Sequence, residues 1–171
     1  MRKDLLRLAP LLCAFVMLPA CGPRDTEETP PAEETAPPPA MAPAPVTLSF
    51  IPDPAHAAVT GTLRVTAATD GSTEIVADLT GLTPGEHAWH IHSAPCGTDG
   101  PIAVAISATT DMEGIGSALN ADATGHATGT ATVAAARLTQ DQLRSGQYAV
   151  HVHEGTGTSM GPSVACVTIQ P

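Results

Sequence analysis

From residue 46 onward the chain is a series of short apolar runs broken by polar turns. "VTLSFI", "AAVTGTLRVTAA", "STEIVADLTGL", "HAWHIHS", "HATGTATVAA", "QYAVHVHE" and "SVACVTIQ" are rich in Val, Ile and Thr, and several place an apolar residue at every second position. A period of two is the repeat of a strand with one face buried. "PDPA", "TDGS", "TPGE", "GTDGP", "ADATG" and "EGTGTSMGP" stand between the runs, and these are the residues that make turns. The pattern predicts an all-β antiparallel sandwich or barrel. Asp70-Gly71, between two alternating runs, predicts a hairpin. "LTQDQLRSG", residues 138–146, predicts one short helical turn ended by Gly146. Residues 103–125 begin as a strand and then read as loop.

The chain before residue 46 has a different texture. "MRKDLLRLAPLLCAFVMLPAC" has a basic start, then an apolar run too short to favour a membrane-spanning helix. It reads as a secretory signal over residues 1–20. Leu18-Pro19-Ala20-Cys21 resembles the bacterial lipobox, which makes Cys21 the expected lipid-bearing first residue. Residues 21–45 hold that Cys and a Pro-, Glu-, Thr- and Ala-rich stretch with no apolar period, read as a disordered tether. The folded domain is then residues 46–171. The expected location is periplasmic or cell-surface, anchored to a lipid membrane through Cys21. Gly22 in place of Asp favours the outer membrane.

Composition narrows the choices. Aromatic residues make up 2% of the chain, so the core has to be built from aliphatic side chains. A formal charge of −10 argues against a nucleic-acid partner. With Cys13 in the leader and Cys21 lipidated, Cys96 and Cys166 remain. In an oxidising compartment two such cysteines read as one structural disulfide.

Four of the seven histidines form two His-x-His pairs, His90/His92 and His151/His153. On a strand, residues i and i+2 share a face. Each pair therefore points one way while Trp89 and Ile91, or Val150 and Val152, point the other. If the two strands are neighbours, four imidazoles converge, and imidazole suits Cu, Zn, Fe and Ni. No helical His-Glu-x-x-His pattern is present, so a metalloprotease is not indicated. His126 and His56, each beside a turn, are expected at the surface.

"GLTPGEHAWHIH" (81–92), "CGTDGP" (96–101), "VHVHE" (150–154) and "GPSVACVTI" (161–169) together resemble the Cu/Zn superoxide dismutases. That resemblance implies a Greek-key antiparallel β-sandwich or flattened barrel of about eight strands. It implies copper on His90, His92 and His153, a Cys96–Cys166 disulfide, and a structural, non-ligating role for His87. His151, on the same face as His153, is the candidate fourth ligand of an all-nitrogen copper site. There are departures from the family. Ile102 stands where that family has its bridging His, Ser163 where it has its catalytic Arg, and residues 103–125 contain no His. Zinc is therefore not expected; Asp99, Asp111 and Asp122 alone make a poor site.

"GLTPGEHAWHIH" with its nearby Gly-Pro, and "LRSGQYAVHVHEG", also resemble the CHRD domain, a β-domain of extracellular proteins. The cysteine pair and "VACVTI" favour the dismutase relation. The reading that follows is an envelope lipoprotein with a copper-binding, superoxide dismutase-like domain, a copper-only redox protein of reduced efficiency. The first alternative is a non-enzymatic copper buffer or delivery protein with a copper donor or acceptor protein as partner. The second is a metal-free CHRD-like β-domain for adhesion or assembly.

Overall fold

The computed structural model describes residues 43–98 and 100–171. The expected leader, Cys21 and most of the tether lie outside the described residues. The chain there forms β1 (Val46–Ser49), β2 (Ile51–Pro52), β3 (Thr60–Ala67), β4 (Thr73–Thr80), β5 (Gly85–His87), β6 (Trp89–His92), β7 (Ile102–Ala105), β8 (Leu119–Ala121), β9 (Ala127–Val133), β10 (Tyr148–His153) and β11 (Ser163–Ile169). One short helix, α1 (Gln140–Leu143), and two 3-10 turns complete it. The helical turn is where the pattern placed it. Thr139 caps it, with Gln142 reaching back in a capping box, and Gly146 follows with φ of 77°.

Every strand pair is antiparallel. One sheet has the order β1-β3-β4-β9, a second β2-β11-β10-β6-β7, and β5 pairs with β8 in a small third. The sheets do not close into a barrel, so the fold is a β-sandwich. Its alternation is what the sequence pattern requires. Leu63 and Val65 of β3, with Ile75, Ala77 and Leu79 of β4, meet Trp89, Ile91, Val150 and Val152 of the second sheet in one aliphatic core. The single Trp fits because Gly129 lies opposite it. A β-carbon at Gly129 would stand 3.1 Å from the Trp89 ring, and the indole N–H donates to the Ser117 carbonyl at 2.8 Å.

More strands form than the apolar runs predict, for two reasons. "VTLSFI" breaks at Phe50, which drops into the core while β1 joins the first sheet and β2 the second. Residues 85–92 break likewise at Ala88, leaving β5 on β8 and β6 between β7 and β10. Cys96 and Cys166 form the expected disulfide, with 5.9 Å between their α-carbons and 70 residues between them in sequence. It ties the segment after β6 to β11.

Candidate metal centre

β6 and β10 are adjacent strands, in the register Ala149↔His92, Val150↔Ile91, His151↔His90 and Val152↔Trp89. Parity then puts Trp89, Ile91, Val150 and Val152 into the core and the four histidines on the opposite face. That face is only partly open to water: His92 and His151 are half-buried. His90 is 0% and His153 6% exposed, because the segments that leave β6, β7 and β10 fold back over it.

The rings form a quadrilateral. Centroid separations are 6.3 Å for His90–His92 and 6.4 Å for His151–His153 along the two strands. Across the strands they are 5.4 Å for His90–His153 and 4.4 Å for His92–His151, with 5.8 Å on the His92–His153 diagonal. His90, His92 and His153 present ligand atoms that all lie within 4.8 Å of one another. His151 falls outside that set, against His92. Two register shifts help to aim the rings. One lies between Ile91 and His92 on the β7 side of β6, the other between Val152 and His153 on the β11 side of β10. A bulge re-aims the side chain beside it, and each of these lies at one of the clustered histidines.

The second contacts of the rings decide their chemistry. His90 Nε2 donates to the Ser107 carbonyl at 3.2 Å, His92 Nδ1 to the Gly100 carbonyl at 2.8 Å and His153 Nδ1 to the Gly161 carbonyl at 3.2 Å. A carbonyl only accepts, so these nitrogens carry the proton and the other nitrogen of each neutral ring keeps a lone pair. Those others, His90 Nδ1, His92 Nε2 and His153 Nε2, are buried with no hydrogen-bond partner. One nitrogen fixed by a backbone carbonyl and the other left bare is how a metal-ligating histidine is held. Burial, and then the neighbouring His153 and His92, lowers the His90 pKa to about 4. Burial also lowers that of His153. These two rings therefore favour the neutral form, the one that binds metal.

The remaining predicted residues fall in plain positions. His87 lies outside the cluster, its Nδ1 at 2.7 Å from the His153 carbonyl and its Nε2 at 2.8 Å from that of Thr83. It braces β10 from behind. His151 Nδ1 is 3.2 Å from the Ser163 hydroxyl. Ile102 pairs with His92 across β6 and β7. His126 is exposed, 3.0 Å from Asp78. His56 is not simply solvent-exposed as expected: it is half-buried, with Nε2 at 2.9 Å from Glu154. Asp122 closes a turn onto Thr124 and His126, Asp111 is an exposed loop residue, and Asp99 lies outside the described residues. Among the described residues no carboxylate joins the histidine set.

The carbonyls of Gly100 and Gly161 were not among the predicted site groups, yet the sequence carries a signal for them. Each is the Gly of a Gly-Pro pair eight residues beyond a clustered histidine: His90-Ile91-His92 leads to Gly100-Pro101, and His151-Val152-His153 to Gly161-Pro162. Ser107 has no such signature.

The chain matches the CHRD domain family over residues 42–161. No curated protein matches it. The match corrects the expected dismutase relation. What the two families share in this sequence is a His-x-His strand, a Gly-Pro turn and a late β-strand. These are short features, and the match over residues 42–161 outweighs them. The groups that would set a dismutase apart are the ones absent, with Ile102 and Ser163 in their places. The match spans well over half of the chain, and the chain belongs to the CHRD domain family.

Proposed function

We propose that this CHRD domain is a non-enzymatic copper-binding module of the cell envelope that buffers or hands on the ion. His90, His92 and His153 hold the metal and His151 stands beside it. The observation that carries the reading is the set of three buried ring nitrogens without partners, each on a ring whose other nitrogen is tied to a carbonyl. A buried unsatisfied polar atom costs about 1–3 kcal/mol. Three in one place are a burden for a metal-free fold and a ready donor set for an ion. An all-imidazole set suits copper, which also stands highest in the affinity order of the divalent first-row metals. The disulfide supports an oxidising compartment. The leader pattern and Pro-rich stretch support a lipid tether at Cys21.

The test is isothermal titration of Cu(II) into the metal-free chain, with electron paramagnetic resonance on the loaded sample. The expected result is one ion per chain with a nitrogen-rich signal, and a loss of about 100-fold or more in affinity in His92→Ala/His153→Ala. Equal binding by parent and double variant sinks the reading. The family match favours a second reading, a metal-free β-domain for adhesion or assembly. An absence of any tight Cu(II) or Zn(II) binding selects it.

A further inference from the structure

Two loops hold the rings of the cluster by a backbone carbonyl, and they are fastened differently. The loop from His153 to Gly161 contains no cysteine. Backbone bonds close it: the Glu154 N–H donates to the Pro162 carbonyl at 3.1 Å and the Gly155 N–H to that of Met160 at 2.9 Å. The loop from His92 to Gly100 carries the Gly100 carbonyl that accepts from His92 Nδ1 at 2.8 Å. Cys96 stands at its midpoint, four residues after His92 and four before Gly100. Among the described residues, the bonds of this loop to β11 are both at Cys96. One is the disulfide to Cys166; the other runs from the Cys96 N–H to the Thr168 hydroxyl at 3.0 Å.

The disulfide is within reach of solution. Cys96 and Cys166 are half-buried, and both line a groove of about 450 Å³, with Ile51, Pro52, Gly97 and Thr98 among its other walls. Thiol–disulfide exchange needs a path by which a thiolate can approach one of the sulfurs. The groove is such a path. The bond that pins the His92 loop is thus the one a soluble thiol can break without unfolding the sandwich.

We propose that Cys96–Cys166 is an exchangeable disulfide, that a dithiol is its substrate in the groove, and that reduction weakens the metal centre through His92. One thiolate of the dithiol attacks a sulfur of the pair, forms a mixed disulfide and expels the other cysteine as a thiolate, which takes up a proton. The second thiol of the dithiol then attacks the mixed disulfide and expels the remaining cysteine, likewise protonated. The dithiol leaves as its own disulfide, and its two electrons reside on the cysteine pair. The exchange moves no electron to the ion. With Cys96 released, the Gly100 carbonyl no longer fixes His92 Nδ1, and Nε2 loses its aim at the other two donors. Loss of such an outer partner costs about 10- to 100-fold in metal affinity. The proposal rests on the metal-binding reading above and adds its control.

The experiment treats the full metal-free chain with dithiothreitol in the absence of denaturant, blocks the thiols formed with iodoacetamide and removes both reagents. Cu(II) and the redox-inert Zn(II) are then titrated into the oxidised and the blocked protein. Two thiols beyond those of the untreated chain should form, with the far-UV circular dichroism unchanged. Affinity for each ion should fall by about tenfold or more, and by a similar factor in Cys96→Ser/Cys166→Ser. In His92→Ala the oxidised and blocked forms should bind alike, because the pinning acts through that ring. Gly61→Ala, which lowers stability from β3, should bind as the oxidised parent does, so that lost stability alone does not imitate the effect. A disulfide that stays intact until denaturant is added overturns the exchange site. Equal or higher affinity after reduction overturns the control, and so does a loss in His92→Ala as large as in the parent. An oxidised parent that binds neither ion marks failure of the metal-binding reading and of the control with it, while the thiols released still decide the exchange site.

Discussion

Acid should destabilise the metal-free domain through His90, and the size of the effect follows from burial. The ring is 0% exposed, and its pKa is lowered from 6.5 to about 4, with burial the first cause and His153 and His92 next. In the unfolded chain His90 takes up a proton near pH 6.5; in the folded chain it resists until about pH 4. Between those values the unfolded state binds more protons, so stability falls as pH falls. The contribution is fully present above pH 6.5, is lost through the interval, and is gone once the folded state also protonates. At 1.36 kcal/mol per pKa unit the whole interval is worth about 3 kcal/mol, and the drop from pH 7 to pH 5 about 2 kcal/mol. The assay is urea unfolding of metal-free protein, with chelator present, from pH 7.5 to about 4.5. Carboxylates also begin to titrate at the lower end, so the quantity to read is the difference between parent and His90→Gln. The parent should lose about 2 kcal/mol more than the variant between pH 7 and 5. Parallel curves for the two proteins would refute the burial argument for His90.

Three further perturbations test the frame that holds the site. Replacing both Cys96 and Cys166 by Ser opens a closure spanning 70 residues; the chain-entropy relation gives a loss of about 4 kcal/mol, seen as a lower denaturant midpoint, and an unchanged midpoint contradicts it. Gly61→Ala on β3 would drive a methyl into the Asp78 carbonyl and the Leu79 α-carbon of β4. Backbone atoms in a paired ladder cannot step aside, so thermal unfolding should show a loss of about 2 kcal/mol or more. Thr139→Ala removes the cap of α1 and its capping box, which should cost about 1 kcal/mol and leave copper binding as in the parent.

The sandwich is legible in the sequence because its strands obey period two and bury one face. β3, β4, β9, β10 and β11 lie inside runs that the alternation marks. Where the pattern falls short, the cause is tertiary. Phe50 and Ala88 are single residues at which the chain leaves one sheet for another, and a switch of sheet leaves no mark on hydrophobic period. β8 is three residues long with one polar position between two buried ones, too short for alternation to register. The histidine face follows from parity alone. Two other properties of the site do not. Which rings lie closest depends on bulges beside His92 and His153, and a bulge needs no particular residue. Which nitrogen is bare depends on carbonyls in loops, of which only the two Gly-Pro pairs have a sequence signature.

The same reasoning shows why residues that locate a site can misname a family. Two adjacent antiparallel strands bearing His-x-His bring four rings together by register, whatever sandwich they sit in. A turn that returns a backbone carbonyl to the second ring of each pair, here twice through Gly-Pro, then leaves a lone pair pointing inward. These are short local features, and they carry less weight than a family match over residues 42–161 of the chain. What such a cluster can do depends on what reaches it from outside the strands. On the groove side of this domain that is His151 with Ser163 behind it, beside Asp53 and Thr98. None of the described groups there is a Lys or Arg that would draw an anion to the cluster.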